Sequence, residues 1–187
     1  MRINFKKFNT PIDGLYIIKR YPIEDERGSL ERIFCSSELD IFMGDSKIKQ
    51  INRTLTKNQG SIRGLHYQHP PYAEKKIITC IKGSVFDIAI DLRKNSPTFL
   101  QYHSEILTDN NLNSFIIPEG FAHGFQTLTN DVEMLYLHSN EYNKEHEGGL
   151  NINDPLLGIV LPESISDISH RDENHPFLHK SYIGIEL

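Results

Sequence analysis

Residues 62–91 hold side chains whose types could move a proton next to a carbonyl group. His66 offers an imidazole, Lys75 and Lys76 offer ammonium groups, and Asp87 offers a carboxylate in a later strand-like run. A hydrogen beside a carbonyl is acidic only when the enolate is stabilised, so the site needs a base and a donor to the oxygen. We predict His66 as the base, Asp87 as the carboxylate bonded to its second ring nitrogen, and one lysine as the donor. On context alone, a single histidine in a strand is more often structural.

The run that contains Asp87 alternates between two faces. One face carries two carboxylates, and the other is wholly apolar. The first face comprises Val85, Asp87, Ala89 and Asp91, and the second Phe86, Ile88, Ile90 and Leu92. We predict that the Asp87 face lines a cavity. The apolar face must then be covered by a second sheet, the N-terminal segment or a partner subunit.

Short strands separated by turns dominate the rest of the chain, and no helices of βαβ length lie between them. This pattern predicts a mainly β, antiparallel barrel or sandwich. One short helix is predicted over residues 36–43, with a serine cap at its start and Gly44 as its stop. Strands are predicted at residues 14–21, 48–56, 77–81, 85–92, 101–107, 114–117 and 132–138, whereas residues after 140 give no clear pattern.

Composition excludes several classes of function. The chain has 187 residues, which fits a single globular domain, and a formal charge of −5 without a basic run argues against nucleic acid as a partner. Two cysteines far apart, Cys35 and Cys80, are typical of a reduced compartment. No run approaches the ~20 apolar residues that span a bilayer. We therefore expect a cytoplasmic protein that does not enter the membrane.

Five motifs occur in one order along the chain. Together they resemble the dTDP-4-dehydrorhamnose 3,5-epimerase family of nucleotide-sugar enzymes, from about residue 14 to 154 and more weakly to residues 170–172. The motifs are residues 25–28 (DERG), 63–68 (RGLHYQ), 83–87 (GSVFD), 91–99 (DLRKNSPTF) and 118–125 (PEGFAHGF).

The resemblance implies a cupin-like antiparallel jelly-roll barrel with short peripheral helices, in a single domain over 1–187. Its core would span about 48–140, between N-terminal strands over 1–47 and an irregular or helical segment over 141–187. It also implies a homodimer that uses no metal and no organic cofactor. The implied reaction inverts carbon 3, carbon 5 or both in a 4-keto-6-deoxy sugar carried on a nucleoside diphosphate. Such a reaction would serve deoxysugar biosynthesis for surface polysaccharide.

The resemblance also assigns residues to roles. It selects Lys76 over Lys75 as the catalytic lysine, and it makes Tyr136 the acid that reprotonates the sugar from the second face. A tyrosine that alternates with apolar residues is otherwise typical of a core position. The substrate-binding residues that it implies are Arg27, Gln50, Asn52, Arg63, His123 and Arg171, of which Arg27, Arg63 and Arg171 are candidates for the phosphates.

The motif that contains His123 allows a second interpretation, a metal-binding site. The pattern Pro-x-Gly-x-x-His, which ends at His123, resembles half of a metal-binding cupin motif. The other half should supply His-x-His, but residues 66–68 read His-Tyr-Gln, so the ligand set is incomplete. The alternatives are a metal-dependent cupin isomerase or oxygenase, and a sugar-binding cupin without catalysis.

The chain departs from the family near the expected nucleobase site. Residues 29–32 read Ser-Leu-Glu-Arg where the dTDP enzymes continue with aromatic residues, and the chain contains no tryptophan. Ile152 stands where the family has a tryptophan. The carrier is therefore left open between dTDP, GDP and CDP.

Overall fold

The computed structural model describes residues 4–187, so the first three residues of the predicted N-terminal segment lie outside the described residues. Strands dominate this part of the chain, which confirms the predicted mainly β class. The strands are β1 Phe5–Asn9, β2 Tyr16–Arg20, β3 Ile23–Asp25, β4 Gly28–Leu30, β5 Gln50–Thr56, β6 Ser61–Gln68, β7 Lys76–Lys82, β8 Ser84–Asp91, β9 Tyr102–Thr108, β10 Asn113–Ile117, β11 Phe121–Thr127, β12 Val132–His138, β13 Glu147–Gly149 and β14 Asp167–Ile168. The helices are α1 Ser36–Met43 and α2 His170–Glu173.

Two large sheets pack face to face and form the predicted jelly roll. The first has the order β1-β2-β10-β7-β12-β5, and the second has the order β13-β6-β11-β8-β9 with β14 paired to β6. Apart from the parallel pairing of β14 with β6, these named strands pair antiparallel. Residues from both inner faces fill one apolar core, including Ile78, Phe115, Val85 and Phe125. The core occupies one end of the space between the sheets and leaves the other end open.

Strands β6 and β11 were not predicted. Their glycines explain why the sequence pattern missed them and how the two strands can approach closely. Gly64 has φ +114°, and a Cβ built on it would lie 2.6 Å from the Gly124 Cα. The register between the two strands shifts between His123 and Phe125, next to this contact. Glycine weakens a strand pattern in sequence, yet here it permits two backbones to approach closely. The strands that carry His66 and His123 can therefore lie side by side.

The apolar face of β8 is covered by the C-terminal part of the same chain. Three of its residues are fully buried, namely Ile88, Ile90 and Leu92. They pack in a cluster whose other members include residues from position 150 onward. Its C-terminal members include Leu150, Ile152, Leu157, Leu178, Tyr182 and Ile185. The predicted covers did not include this segment, because its sequence has no periodicity. The face therefore gives no argument for a dimer.

Helix α1 covers the outer face of the first sheet. Leu39 and Met43 pack there against Ile18 and Ile77. The predicted serine cap is wrong: Cys35 occupies the N-cap position and makes no side-chain capping bond, whereas Gly44 ends the helix with φ 55° as predicted. Packing of the apolar side chains, rather than capping, holds this helix in place.

The second carboxylate of the alternating run has a structural function. Asp91 is fully buried and does not line a cavity, which corrects the prediction for this residue. Its Oδ2 accepts hydrogen bonds of 2.6 Å from the hydroxyls of Ser96 and Thr98, and one of 2.7 Å from the Arg93 guanidinium. The motif over residues 91–99 therefore fixes a turn at the end of β8. Among the described residues, no helix is long and apolar enough to cross a membrane.

Candidate active site

A cavity of about 660 Å³ occupies the open end between the two sheets. Strands β6 and β11 line it on one side, and β5, β7 and β12 line it on the other. Its ionisable and aromatic lining includes His66, Lys76, His123, Tyr136, His138 and Arg171. Seven of the ten residues predicted for the site line this cavity: besides His66, Lys76, His123, Tyr136 and Arg171, they are Asn52 and Arg63.

His66 is bonded to a carboxylate that the sequence analysis did not select. Its Nε2 lies 2.8 Å from Asp172 Oδ1, and the His66 side chain is 28% exposed to the cavity. Asp172 follows Ser169, whose hydroxyl accepts from the Asp172 backbone N–H and caps helix α2. The backbone N–H of Gly64 donates to the other oxygen, Oδ2, at 3.3 Å. Helix α2 and strand β6 thus hold the carboxylate against the imidazole.

These contacts keep the Asp172 carboxylate ionised. Burial alone would raise the pKa of Asp172, but the hydrogen bond and charge of His66, the Gly64 N–H and the Arg171 charge outweigh it. Together they lower the pKa of Asp172 to about 2. Asp172 therefore stays ionised near neutral pH. Within residues 4–187, the structure shows no hydrogen bond to Nδ1 of His66, so this nitrogen is free to accept a proton.

Asp87 does not contact His66, which corrects the predicted pairing. Strand β11 lies between β8 and β6, so Asp87 is two strands away from His66, or roughly 10 Å at ordinary strand spacing. Asp87 Oδ1 instead lies 2.8 Å from Nε2 of His123. Asp87 is fully buried behind His123 and does not line the cavity. Burial raises the pKa of Asp87, while the charge and hydrogen bond of His123 act in the opposite direction.

His123 connects the two sides of the cavity. It is the cross-strand neighbour of His66, so both side chains lie on the inner face of the second sheet. Its ring centroid is 6.0 Å from that of Tyr136, which projects from β12 in the opposite sheet. His66 and Tyr136 therefore line one cavity from opposite sheets. This placement agrees with the geometry that the predicted base and acid require.

Tyr136 is held as a neutral phenol. It packs against the core cluster while it lines the cavity. Burial raises its pKa above the ordinary value for tyrosine, and the negative charge of Asp87 raises it further. At neutral pH the side chain therefore carries a proton that it can donate.

Lys76 points into the cavity and Lys75 points away from it. The Lys76 ammonium lies 3.3 Å from the His66 carbonyl oxygen and 3.3 Å from Glu74 Oε1. Lys75 instead donates to the Met43 carbonyl at 2.7 Å. Because neighbours in a strand point to opposite faces, only one of the two lysines can reach the site.

A second carboxylate–imidazole pair lies beside Tyr136 and was also missed. His138 Nδ1 is 2.8 Å from Glu74 Oε2, and the His138 ring is nearly parallel to Tyr136, with an interplanar angle of 10°. Burial alone would raise the pKa of Glu74, but His138 and Lys76 lower it overall. The sequence did hold a signal for His138. It lies two residues after Tyr136 in the same strand, and this spacing places both side chains on one face.

The other predicted binding residues divide into two groups. Asn52 and Arg63 line the cavity, and the Arg63 Nε donates to Thr56 Oγ1 at 2.9 Å. Gln50 does not line it, because its side-chain oxygen accepts from the Tyr142 backbone N–H. Arg27 does not line the cavity of its own chain, because it lies in the exposed β3–β4 hairpin with its guanidinium bonded to Asp25.

Arg171 lies at the mouth of the cavity beside the imidazole. Its Nη2 is 2.8 Å from Nε2 of His66, and its Nη1 is 2.9 Å from Glu147 Oε2. The side chain is 53% exposed. The guanidinium is thus a cation that contacts both the site and solvent.

Comparisons with known proteins agree with this architecture. A family model described as dTDP-4-dehydrorhamnose 3,5-epimerase matches residues 9–180. The chain belongs to this family. A dTDP-4-dehydrorhamnose 3,5-epimerase from Salmonella typhimurium is 35% identical over 176 residues, which cover 93% of this chain and 96% of that protein.

Solved structures of dTDP-4-dehydrorhamnose 3,5-epimerase relatives have the same fold. The dTDP-6-deoxy-D-glucose-3,5-epimerase from Legionella pneumophila, in complex with dTDP-4-keto-L-rhamnose, has a TM-score of 0.90 and 32% identity, covering 98% of each chain. The 3'-monoepimerase ChmJ from Streptomyces bikiniensis, in complex with dTDP-quinovose, has a TM-score of 0.84 and 29% identity, covering 90% of this chain and 85% of that one. The solved structures that share this fold therefore include both a 3,5-epimerase and a 3'-monoepimerase.

The sequence departures from the epimerase family lie outside the cavity of this chain. Ile152 is only 3% exposed and packs in the cluster that contains Leu157. Leu30, in the β3–β4 hairpin, is 65% exposed. The isoleucine therefore changes the core rather than the cavity, and its presence carries no argument about the nucleobase.

The Asp172 carboxylate gives a prediction for acid stability. Its pKa of about 2 lies below the ordinary 3.8, so it stabilises the folded state above pH 4 and loses this contribution between pH 4 and 2. We expect the free energy of unfolding of the unaltered protein to fall by roughly 2 kcal/mol more than that of Asp172→Asn across this interval. Urea unfolding at a series of pH values measures the difference. Identical slopes below pH 4 would contradict the assignment.

Proposed function

We propose that this protein epimerises a nucleoside-diphosphate-linked 4-keto-6-deoxy sugar by proton abstraction and reprotonation. One observation carries the proposal: His66, paired with Asp172, and the neutral phenol of Tyr136 line one cavity from opposite sheets. Inversion of a carbon requires a base on one face of the sugar and an acid on the other. The arrangement provides both.

The first step would be removal of a proton by His66. Nδ1 is free to accept it, while Nε2 is directed at the Asp172 carboxylate. Asp172 fixes the tautomer of the ring and stabilises the imidazolium that forms. The carbon–hydrogen electrons move onto the sugar's keto oxygen and give an enolate.

Lys76 would stabilise that enolate. Its ammonium is within 3.3 Å of the His66 carbonyl, so it lies beside the base. It is largely buried, with its charge partly balanced by Glu74. A cation at a developing oxyanion in such a site contributes roughly 3 to 4 kcal/mol.

Tyr136 would return a proton from the opposite face. Its raised pKa keeps the phenol protonated, and proton transfer to the carbanionic carbon leaves a phenolate that solvent reprotonates. His123, bonded to Asp87 and close to Tyr136, supports the side of the cavity between base and acid. We assign His123 to positioning.

The carrier would be held by cationic and amide groups at the cavity. Arg63, Arg171 and Asn52 line it and can donate to a diphosphate. The two solved structures named above are complexes with dTDP-linked sugars, which favours dTDP as the carrier. Whether one or two carbons are inverted depends on the chain's own chemistry.

Assembly, location and pathway remain predictions from the sequence. The homodimer rests on the family resemblance, and light scattering of the purified protein measures it. The cytoplasmic location rests on two free cysteines, of which Cys80 is buried. A role in surface polysaccharide synthesis follows from the sugar class alone.

A panel of substrates in D₂O tests the function. The 4-keto-6-deoxyhexose is offered on dTDP, GDP and CDP, and proton NMR follows the hydrogens at carbons 3 and 5. We expect deuterium to enter at carbon 3, carbon 5 or both with the dTDP substrate. Absence of exchange with all three carriers, at millimolar substrate and with a folded protein, would contradict the proposal.

A further inference from the structure

Three potential metal ligands meet at the edge of the cavity. His66, Asp172 and His175 each offer one ligand atom, and these atoms lie within 4.8 Å of one another. Two imidazoles with one carboxylate form a donor set that suits Zn²⁺, Co²⁺ or Fe²⁺. We propose that these residues form a site for a divalent transition metal, and that the bound metal inhibits the enzyme.

The spacing of the ligand atoms is close to what such an ion requires. Asp172 Oδ1 lies 2.8 Å from His66 Nε2 and 4.0 Å from His175 Nε2. Ligands about 2.1 Å from a tetrahedral zinc ion are roughly 3.4 Å apart. The first of these pairs has to open by roughly 0.6 Å and the second has to close by roughly 0.6 Å, which small side-chain rotations provide. A fourth position remains toward the cavity.

His175 is the member of the cluster that the proposed reaction does not use. Its Nε2 is buried and has no hydrogen-bond partner among the described residues. A buried ring nitrogen without a partner is costly, because it loses its bond to water and gains none. A metal ion between His175 and Asp172 would satisfy this atom. The unpartnered ring nitrogen of His175 therefore points to a ligand at this position.

The surrounding backbone holds the ligands before any ion binds. His175 packs directly over Gly149, where a Cβ would lie 2.1 Å from the His175 Nε2. Asp172 is held by the Gly64 backbone N–H and by the Ser169 cap. Such outer contacts orient ligands and raise metal affinity.

Arg171 must leave for the metal to bind. Its guanidinium lies 2.8 Å from Nε2 of His66 and 3.3 Å from Asp172 Oδ1. Two cations cannot share this position, so Arg171 and the metal exclude one another. The side chain is 53% exposed and is also bonded to Glu147, so it can move toward solvent.

The inhibitory consequence rests on the proposed function. A metal ion on Nε2 of His66 displaces the proton shared with Asp172 and releases it to solvent. The metal-bound imidazole is a weak base at Nδ1, because the ion withdraws its electrons. Proton abstraction from the sugar then stops, and a chelator restores it.

The test begins with metal binding in the absence of substrate. Protein without a histidine tag, stripped with a chelator, is titrated with Co²⁺ while visible absorption is recorded. We expect one Co²⁺ per chain with the absorption of a low-coordinate site. His175→Gln should weaken binding at least about tenfold, whereas His179→Gln, an exposed histidine in the same segment, should not. Equal binding by His175→Gln, or no binding at millimolar Co²⁺, would overturn the proposal.

A second variant, Arg171→Gln, tests the site independently if His175→Gln does not fold. Arg171→Gln removes the competing cation from an exposed position, so it should tighten Co²⁺ binding relative to the unaltered protein. Unchanged or weaker binding would count against the site. Inhibition is measured separately: Zn²⁺ should slow deuterium exchange in the unaltered protein and in His179→Gln, and much less in His175→Gln. If exchange never occurs, the Co²⁺ result still stands, so failure of the function and failure of the site are distinguishable.

Discussion

Replacement of His66 by asparagine should lower the rate of solvent deuterium exchange by about 1,000-fold, within a range of about 100 to 10,000 for loss of a general base. Asparagine can still donate to Asp172 but has no group that accepts a proton near neutral pH. His66 is 28% exposed at the cavity, so the change leaves the apolar cores intact. Proton NMR in D₂O measures the rate at both carbons beside the keto group.

The control for this variant is His69→Asn. His69 is exposed just beyond the end of β6 and does not line the cavity. It should exchange at the rate of the unaltered protein. A His66→Asn protein that folds normally and still exchanges within about threefold of that rate would show that the base is another group.

Replacement of Tyr136 by phenylalanine should separate exchange from inversion. The variant keeps the aromatic ring in the core and loses only the proton that the phenol donates. We expect inversion to fall by about 100- to 10,000-fold. His66 still removes and returns a proton on its own face, so the starting sugar should gain deuterium with its configuration retained.

Proton NMR coupling constants distinguish the sugar of retained configuration from the inverted sugar in this variant. Tyr21→Phe, at an exposed tyrosine outside the cavity, is the matched control and should invert normally. If Tyr136→Phe lost exchange and inversion together, the phenol would be needed for abstraction. Its assignment as the acid on the second face would then be wrong.

Alternation along strands predicted much of the arrangement. Val132–His138 was predicted with the observed bounds, and its inward positions place Tyr136 in the cavity. The choice of Lys76 over Lys75 came instead from the family resemblance, and the structure directs the two ammonium groups to different partners. Period-two patterning is a local property, so it is visible in sequence wherever one face of a strand is buried.

The partner of His66 could not be predicted from the same rule. Asp87 has the right chemistry, but one strand separates it from His66, and strand order depends on contacts that are distant in sequence. Asp172 lies in a four-residue helix within a segment that has no periodicity. Its signals in the sequence were the weak family resemblance over residues 170–172 and the Ser-x-x-Asp capping pattern that begins at Ser169, which places Asp172 in a first helical turn. That pattern does not tell which strand the helix contacts.

The most direct test of the central claim is where solvent deuterium first enters during turnover of the dTDP-linked 4-keto-6-deoxyhexose in D₂O. A base and an acid on opposite sheets predict that, at early conversion, each inverted carbon in the product carries deuterium. Product that retains protium at the inverted carbon would mean that one group moves the same proton between faces, which contradicts the account.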